Sequence, residues 1–213
     1  MDDPVDSLVE LEANLRDISR ANRFFGGIAP VAREIERSGA ATILDVGCGA
    51  ADVPRALLEA ARLRNRDLRI TCLDSSEQML TIASRIPSSL QFMRGDATAL
   101  PFADRAFDVA ICSLVLHHFA PPAAVRLLAE LRRVSRLTPL VCDIVRSRAA
   151  YIAARAFTLL SRNRLTRHDA PVSVLRAYTP EEASSLAREA GWQTPQIRRE
   201  PWFRMTMLDA VAR

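Results

Sequence analysis

The chain reads as an α/β fold, a doubly wound and mostly parallel sheet with helices on both faces. Three observations predict it. From residue 42 onward, short apolar runs alternate five times with stretches of helical spacing. The run from Phe107 to Val115 is apolar almost throughout, as a central parallel strand covered on both faces must be. Two more extended stretches follow over Gln193–Arg213, joined near Pro201-Trp202. A tight turn makes that pair antiparallel, so one of the two enters the sheet against its grain. The expectation is a Rossmann-like, seven-stranded sheet with one antiparallel terminal strand.

The elements follow in order. Residues 7–20 place Leu8, Leu11, Leu15 and Ile18 on one helical face. Arg23-Phe-Phe-Gly-Gly breaks that pattern, and a second helix fits 29–38. Thr42–Val46 is the first strand. Gly47-Cys-Gly-Ala-Ala follows as a loop, and Asp52 is placed to cap the next helix, with Pro54 in its first turn. Arg69–Leu73 is the second strand, and Ser75-Ser-Glu-Gln78 reads as a capping box opening a helix to about Arg85. Leu90–Met93 is the third strand. A helix over 121–136 separates the fourth strand from a fifth at Pro139–Val145. Residues 146–178 are helical in pattern and have no sheet partner. They read as an added helical lid. Thr179-Pro-Glu-Glu182 is a second capping box, and Gly191 stands where a C-terminal cap belongs.

Composition narrows the function classes. At 213 residues and 49% apolar, the chain can bury one large core and is neither disordered nor fibrous. All 29 basic residues are arginine, and the net charge is only +4. The sequence pI near 9.3 raises nucleic acid as a partner, but there is no dense basic run of the kind such binding uses. The charges are instead segregated. Residues 1–17 carry six acids and one arginine, whereas 146–176 carry seven arginines and one aspartate. The two segments can attract each other, or arginines left over can receive an anionic or carrier-bound acceptor. Cys48, Cys72, Cys112 and Cys142 are scattered singly in apolar runs, which argues for buried thiols and against zinc or a disulfide framework. No metal is expected. The start, Met-Asp-Asp-Pro, lacks the features of a secretory leader, and no apolar run reaches membrane-span length, so a cytoplasmic location is expected.

The chemistry gathers at the strand ends. Gly47 and Gly49 allow a sharp turn and close approach of a ligand to the backbone. A pyrophosphate-binding loop would have a third glycine at position 52, where Asp52 stands, and would not place Asp45 just before the turn. An acidic loop mouth suits a cationic ligand. Asp74 ends the second strand, 25 residues beyond Gly49, where a carboxylate accepts the hydroxyls of a ribose. Asp96, after the third strand, is placed to touch a base edge.

LDVGCGAAD, then LDSSEQML, then GDATALPFADRAFDVAICSLVLHHF resemble the class I S-adenosylmethionine-dependent methyltransferases, in particular the small-molecule branch that includes quinone and natural-product enzymes. The resemblance covers about 40–145, with the family's closing strand pair at 192–212. It implies an N-terminal helical lid segment over 1–38 and a methyltransferase domain over 39–213, with a lid insertion at about 146–178. It implies that Asp45, Gly47, Cys48 and Gly49 surround the methionine moiety, with Asp45 near its ammonium. Asp74 would hold the ribose. Ser75 and Met79 would flank the adenine, Asp96 and Ala97 would meet its amino group and ring, and Ser113 would offer backbone to the methionine end. The family usually has a third glycine where Ala51 stands.

Similar O-methyltransferases pair a histidine after strand four with an aspartate ending strand five, which here means His117 and Asp143 as catalytic pair. His168 is less suited, because it neighbours Asp169 on a helix and adjacent helical residues do not face each other. Phe24, Phe25, Tyr151, Phe157, Tyr178, Trp192 and Trp202 are candidates for an acceptor pocket or for plain core. The implied reaction is methyl transfer to an oxygen or carbon of a small aromatic, quinone or polyketide-like acceptor. An RNA or protein methyltransferase stays open, although Cys112-Ser-Leu-Val stands where an N-P-P-Y-type tetrad would follow strand four. So does a homologue that binds the cofactor without transferring methyl.

Overall fold

A computed structural model describes residues 27–86, 88–160 and 164–210. The helix expected at 7–20, the acidic segment 1–17, Phe24 and Phe25 lie outside the described residues. The chain runs α1 (Ala29–Ser38), β1 (Thr42–Val46), α2 (Asp52–Leu63), β2 (Arg69–Asp74), α3 (Glu77–Ser84), β3 (Gln91–Arg94) and β4 (Phe107–Ser113). A single 3-10 turn, Leu116–His118, precedes α4 (Pro121–Val134) and β5 (Ser135–Ile144). Then come α5 (Arg148–Leu160), α6 (Arg164–Arg176), α7 (Pro180–Glu189), β6 (Pro195–Glu200) and β7 (Arg204–Asp209).

The seven strands form one sheet in the order β3-β2-β1-β4-β5-β7-β6. All neighbours are parallel except β7, which runs against β5 and against β6. This is the expected fold. The central strands explain why their sequences lack alternation. Leu44, Val46, Ala110, Cys112 and Val141 pack on one face, with Leu127, Leu128 and Leu131 of α4 and with α7. Ile43, Val109, Ile111, Leu140 and Cys142 pack on the other, with α1 and α2. Each side chain still alternates, but both faces are buried. Full burial of one such leucine is worth about 1.5–3 kcal/mol. All four cysteines are free and buried. Burial pushes the Cys112 thiol up and that of Cys142 to about 12, so both stay protonated and unreactive.

Three local expectations need correction. Asp52 is the first helical residue of α2 and not its cap. Ala51 holds the cap position in the left-handed region, at φ 59, without a side-chain bond. The cap of α3 is Ser76, whose hydroxyl accepts from Met79 N–H, so the sequence box begun at Ser75 is displaced by one residue. The fifth strand begins at Ser135, four residues before Pro139. Ser135 Oγ donates to the Leu131 carbonyl at 2.7 Å and accepts from Ala110 N–H at 3.0 Å, which ends α4 and stitches the chain directly onto β4. The box at Thr179 forms as expected, with both reciprocal bonds to Glu182. Residues 148–160 and 164–176 fold as the helices α5 and α6, without a strand among these described residues. No described helix is long and apolar enough to cross a membrane.

Candidate active site

The parallel strands all end on one rim of the sheet, and there the loops enclose a cavity of about 670 Å³. The loop after β1 is built on positive φ, at +74 for Gly47 and +51 for Gly49. Gly47 must also be glycine for packing, because a Cβ there would stand 2.5 Å from Val115 Cγ2. At Gly49 a Cβ would meet nothing within 4 Å: that position faces the open space of the cavity. Gly47 and Cys48 N–H both donate to the Leu73 carbonyl, at 2.7 and 3.1 Å, tying the loop to the end of β2. Ala51, where a third glycine was the resemblance's expectation, adopts the left-handed backbone with its methyl fully buried. The αL penalty, about 1–2 kcal/mol, is offset in large part by burying the methyl group.

Asp74 organises this corner. Its Oδ2 accepts from Gly49 N–H at 2.8 Å and its Oδ1 from Ser76 N–H at 2.9 Å, so the carboxylate is fixed while each oxygen keeps a further lone pair. Asp45 is buried in β1 and lines the same cavity. Burial together with the charge of Asp74 pushes its carboxyl up to about 8. Such a group calls for a cationic partner or a proton. Cys48, between the two glycines, is held well above the usual thiol range by its hydrogen bond with Cys72 and by burial.

Ser75, Met79, Asp96, Ala97 and Ser113 line the cavity as well. Met79 is buried, whereas Asp96 is exposed and closes its own turn, its Oδ1 accepting from both Thr98 N–H and Thr98 Oγ1 at 2.8 Å. Those bonds hold its carboxyl below the ordinary range.

At the far side of β4 the structure brings His117 and Asp143 together. His117 Nδ1 lies 2.7 Å from Asp143 Oδ1, and both residues are buried. His117 lines the cavity; Asp143 stands behind it. Burial raises the Asp143 carboxyl, but His117 and the backbone N–H groups of Ile144 and His117 more than reverse this, leaving it below the ordinary carboxylate range. The ring of His118 lies against that of His117, centroids 4.3 Å apart. His168 is exposed and outside the cavity. Contrary to the helical-neighbour argument, its Nδ1 does reach Asp169, at 3.1 Å.

The arginine-rich helices turn a different face inward than charge counting suggests. Ala150, Ala153, Ala154 and Phe157 of α5 wall the cavity, joined by Asp169, Ala170, Ser173 and Val174 of α6. Arg148, Arg155 and Arg167 do not line it. Arg146 pairs with Glu182 and, with Arg176 and Tyr178, borders a second cavity of about 600 Å³ on the other side of His117 and His118. Of the aromatic candidates, Phe157 and Trp202 line the main cavity. Trp192 is core, its Nε1 donating to the Leu128 carbonyl at 3.0 Å. Tyr178 is buried with its hydroxyl on the Phe119 carbonyl, and Tyr151 lines neither cavity. Sequence reasoning missed Phe203 and Arg204, which follow Trp202 on the cavity wall.

Comparison with known proteins gives the same picture. A family model described as a methyltransferase domain matches residues 43–137. A demethylmenaquinone methyltransferase of Thermotoga maritima is 40% identical over 92 residues, which are 43% of this chain and 38% of that protein. The match thus spans well under half of that relative's length. Another protein of that name, from Deinococcus radiodurans, is 29% identical over 171 residues, 71% of this chain and 68% of its own. The structure of human N-acetylserotonin methyltransferase with S-adenosylmethionine shares the fold at TM-score 0.68 and 16% identity, covering 98% of this chain and 60% of that one. Family match and strand order agree: residues 43–137 match a methyltransferase domain, and the sheet that carries them has the fold of the solved methyltransferases.

Proposed function

We propose that the chain transfers a methyl group from S-adenosylmethionine to an oxygen or acidic carbon of a small aromatic, quinone or polyketide-like acceptor. One observation carries the reading: a single cavity is walled at one end by the acidic glycine loop and at the other by His117 and an apolar helical face. The donor set fits the cofactor's chemistry. Asp45 and the Gly47–Gly49 backbone would hold the cationic amino-acid end, and Asp74 has lone pairs left for ribose hydroxyls. Ser75, Met79, Asp96 and Ala97 would flank the base, and Ser113 would meet the methionine end. When bound, S-adenosylmethionine supplies a methyl carbon already activated by its sulfonium.

The protein's own work is then alignment and proton management. Alignment of acceptor and donor at near-attack distance supplies most of the rate. With Nδ1 held by Asp143, Nε2 of His117 is the ring nitrogen left to take the proton of an acceptor hydroxyl. The helical insertion at about 146–178 covers the acceptor end through the alanine-lined face of α5. The names of the relatives favour a quinone among the acceptor classes. A carrier-bound acyl acceptor would enter along the same face.

Calorimetric titration with S-adenosylhomocysteine, and with NADH as control, tests the cofactor. Saturable binding of the sulfur compound that Asp74→Ala weakens at least tenfold supports the reading. Binding of NADH in its place would overturn it.

A further inference from the structure

The tip of the β6–β7 hairpin is built against local preference. Trp202 and Phe203 both sit in the left-handed region, at φ 60 and 58, where large aromatic residues are rare and strained. Hairpin tips of this shape ordinarily use asparagine or glycine. Both side chains are also exposed, 59% for Trp202 and 41% for Phe203, although both line the main cavity. The next residue, Arg204, lines it too and is 94% withdrawn from solvent, within electrostatic reach of Asp143. Three consecutive residues that carry two apolar rings and one guanidinium therefore border the same space. The tip is locked in place: Val145 N–H donates to the Phe203 carbonyl at 2.8 Å, and Ile144 pairs with Arg204 in the sheet. Strain kept in a clamped backbone at a cavity wall is a sign of use.

We propose that Trp202, Phe203 and Arg204 form the acceptor-selecting element, binding a flat aromatic or quinonoid ring that carries an oxygen anion or a strongly polarised carbonyl. This rests on the methyl-transfer reading of the cavity and narrows its substrate class. Strand order sets the distance. From the end of β1, where the cofactor loop begins, to β7 is three strand spacings, or about 14 Å. β4 and β5, which carry His117 and Asp143 at their ends, lie between. A ring held against Trp202 and Phe203 thus reaches back toward His117 from the side opposite the glycine loop. Arg204 meets the oxygen that becomes negative as the proton leaves, through a charge-assisted hydrogen bond. Aromatic faces select planarity, and the guanidinium selects charge.

The test uses the full chain saturated with S-adenosylhomocysteine and two probes, 2-hydroxy-1,4-naphthoquinone and the non-aromatic cyclohexane-1,3-dione. Affinities are measured by calorimetry, alongside melting temperatures. Because glycine tolerates the left-handed backbone, Trp202→Gly is expected to raise Tm by about 2–4 °C. The same variant is expected to weaken the naphthoquinone at least tenfold and the dione no more than threefold. Arg204→Gln weakens both probes tenfold or more, and Arg204→Lys recovers part of the loss. S-Adenosylhomocysteine affinity stays within twofold in all three. A Trp202→Gly protein that binds the naphthoquinone as wild type overturns the proposal, as does one whose Tm falls together with all binding. Failure of the wild-type chain to bind S-adenosylhomocysteine would instead remove the methyl-transfer reading, and the naphthoquinone titrations would still score the tip.

Discussion

Asp143 grips His117 twice: its Oδ1 stands 2.7 Å from the ring Nδ1, and its Oδ2 accepts the His117 backbone N–H at 3.1 Å. The second bond fixes where the histidine backbone sits, and the first fixes which ring nitrogen carries the proton. Ile144 N–H donates to the same Oδ1 at 2.7 Å, so a fully buried carboxylate is solvated entirely by the protein.

Asp143→Asn keeps the size of the side chain but offers an amide where Nδ1–H needs an acceptor, which favours the wrong tautomer. We expect kcat to drop at least 100-fold for hydroxyl acceptors, with cofactor affinity within threefold. His117→Ala should match it, and the double variant should lose no more than either single one, because the two act as one unit. Additive losses in steady-state kinetics would dismiss the dyad.

Asp45 predicts a pH dependence with a definite sign. Its folded-state value, about 8, lies above the unfolded value near 3.9. Stability from this group is therefore fully present below about pH 4, falls as the unfolded chain ionises, and levels off above about pH 8. Asp45→Asn removes the penalty, so the cofactor-free variant should gain on the order of 2–4 kcal/mol over wild type between pH 5 and 8. Thermal melts across that range measure it. The same group makes ligand binding proton-linked. S-Adenosylhomocysteine at pH 6.5 should release close to one proton from wild type and none from Asp45→Asn, read by calorimetry in buffers of different ionisation enthalpy. A proton count of zero for wild type would mean that Asp45 does not meet the ammonium.

Gly47 and Val115 are expected to be coupled. Alanine at 47 suffers twice, from φ +74 and from a Cβ 2.5 Å from Val115 Cγ2. Gly47→Ala should cost about 2–4 kcal/mol and most of the cofactor affinity. Val115→Ala in the same chain removes the clash but not the φ strain, so the pair should recover about half. Gly49→Ala, with open space around its Cβ, should leave stability within about 1–2 kcal/mol of wild type while reducing cofactor affinity. Urea titration and calorimetry together separate these effects.

The glycine loop, Asp74 and the His117–Asp143 pair were legible because their cues are local or are fixed by strand ends. A parallel sheet brings every strand's last residue to one rim, so a residue's place in the strand order is nearly its place in the site. What the sequence hid depends on packing across long distances. Nothing near Trp202-Phe203 signals a left-handed turn, since neither glycine nor asparagine is there. Arg204 was invisible because arginines are presumed solvated and this one is buried. The arginine-rich segment hid its inner face in the same way. Its count of charges said nothing about its inward face, which the spacing of Ala150, Ala153, Ala154 and Phe157 would have marked as one side of a helix, if small residues were read as room for a ligand as well as core.

That face yields the last prediction. Ala154 is half-buried on the cavity wall, and Arg155, its neighbour in sequence, is exposed and does not line the cavity. Ala154→Leu puts three more carbons into the space the acceptor needs and leaves the cofactor loop untouched. We expect acceptor KM to rise at least tenfold for a two-ring acceptor and less than threefold for a single-ring one, with S-adenosylhomocysteine affinity within twofold. Arg155→Ala is the counterpart. If leftover arginines received an anionic acceptor, it would raise KM for charged acceptors selectively. The observed orientation instead predicts no change in KM and a melting temperature within about 1–2 °C of wild type, as for most surface substitutions. A selective KM effect at Arg155 together with none at Ala154 would move the acceptor to the outer, charged side of the helix.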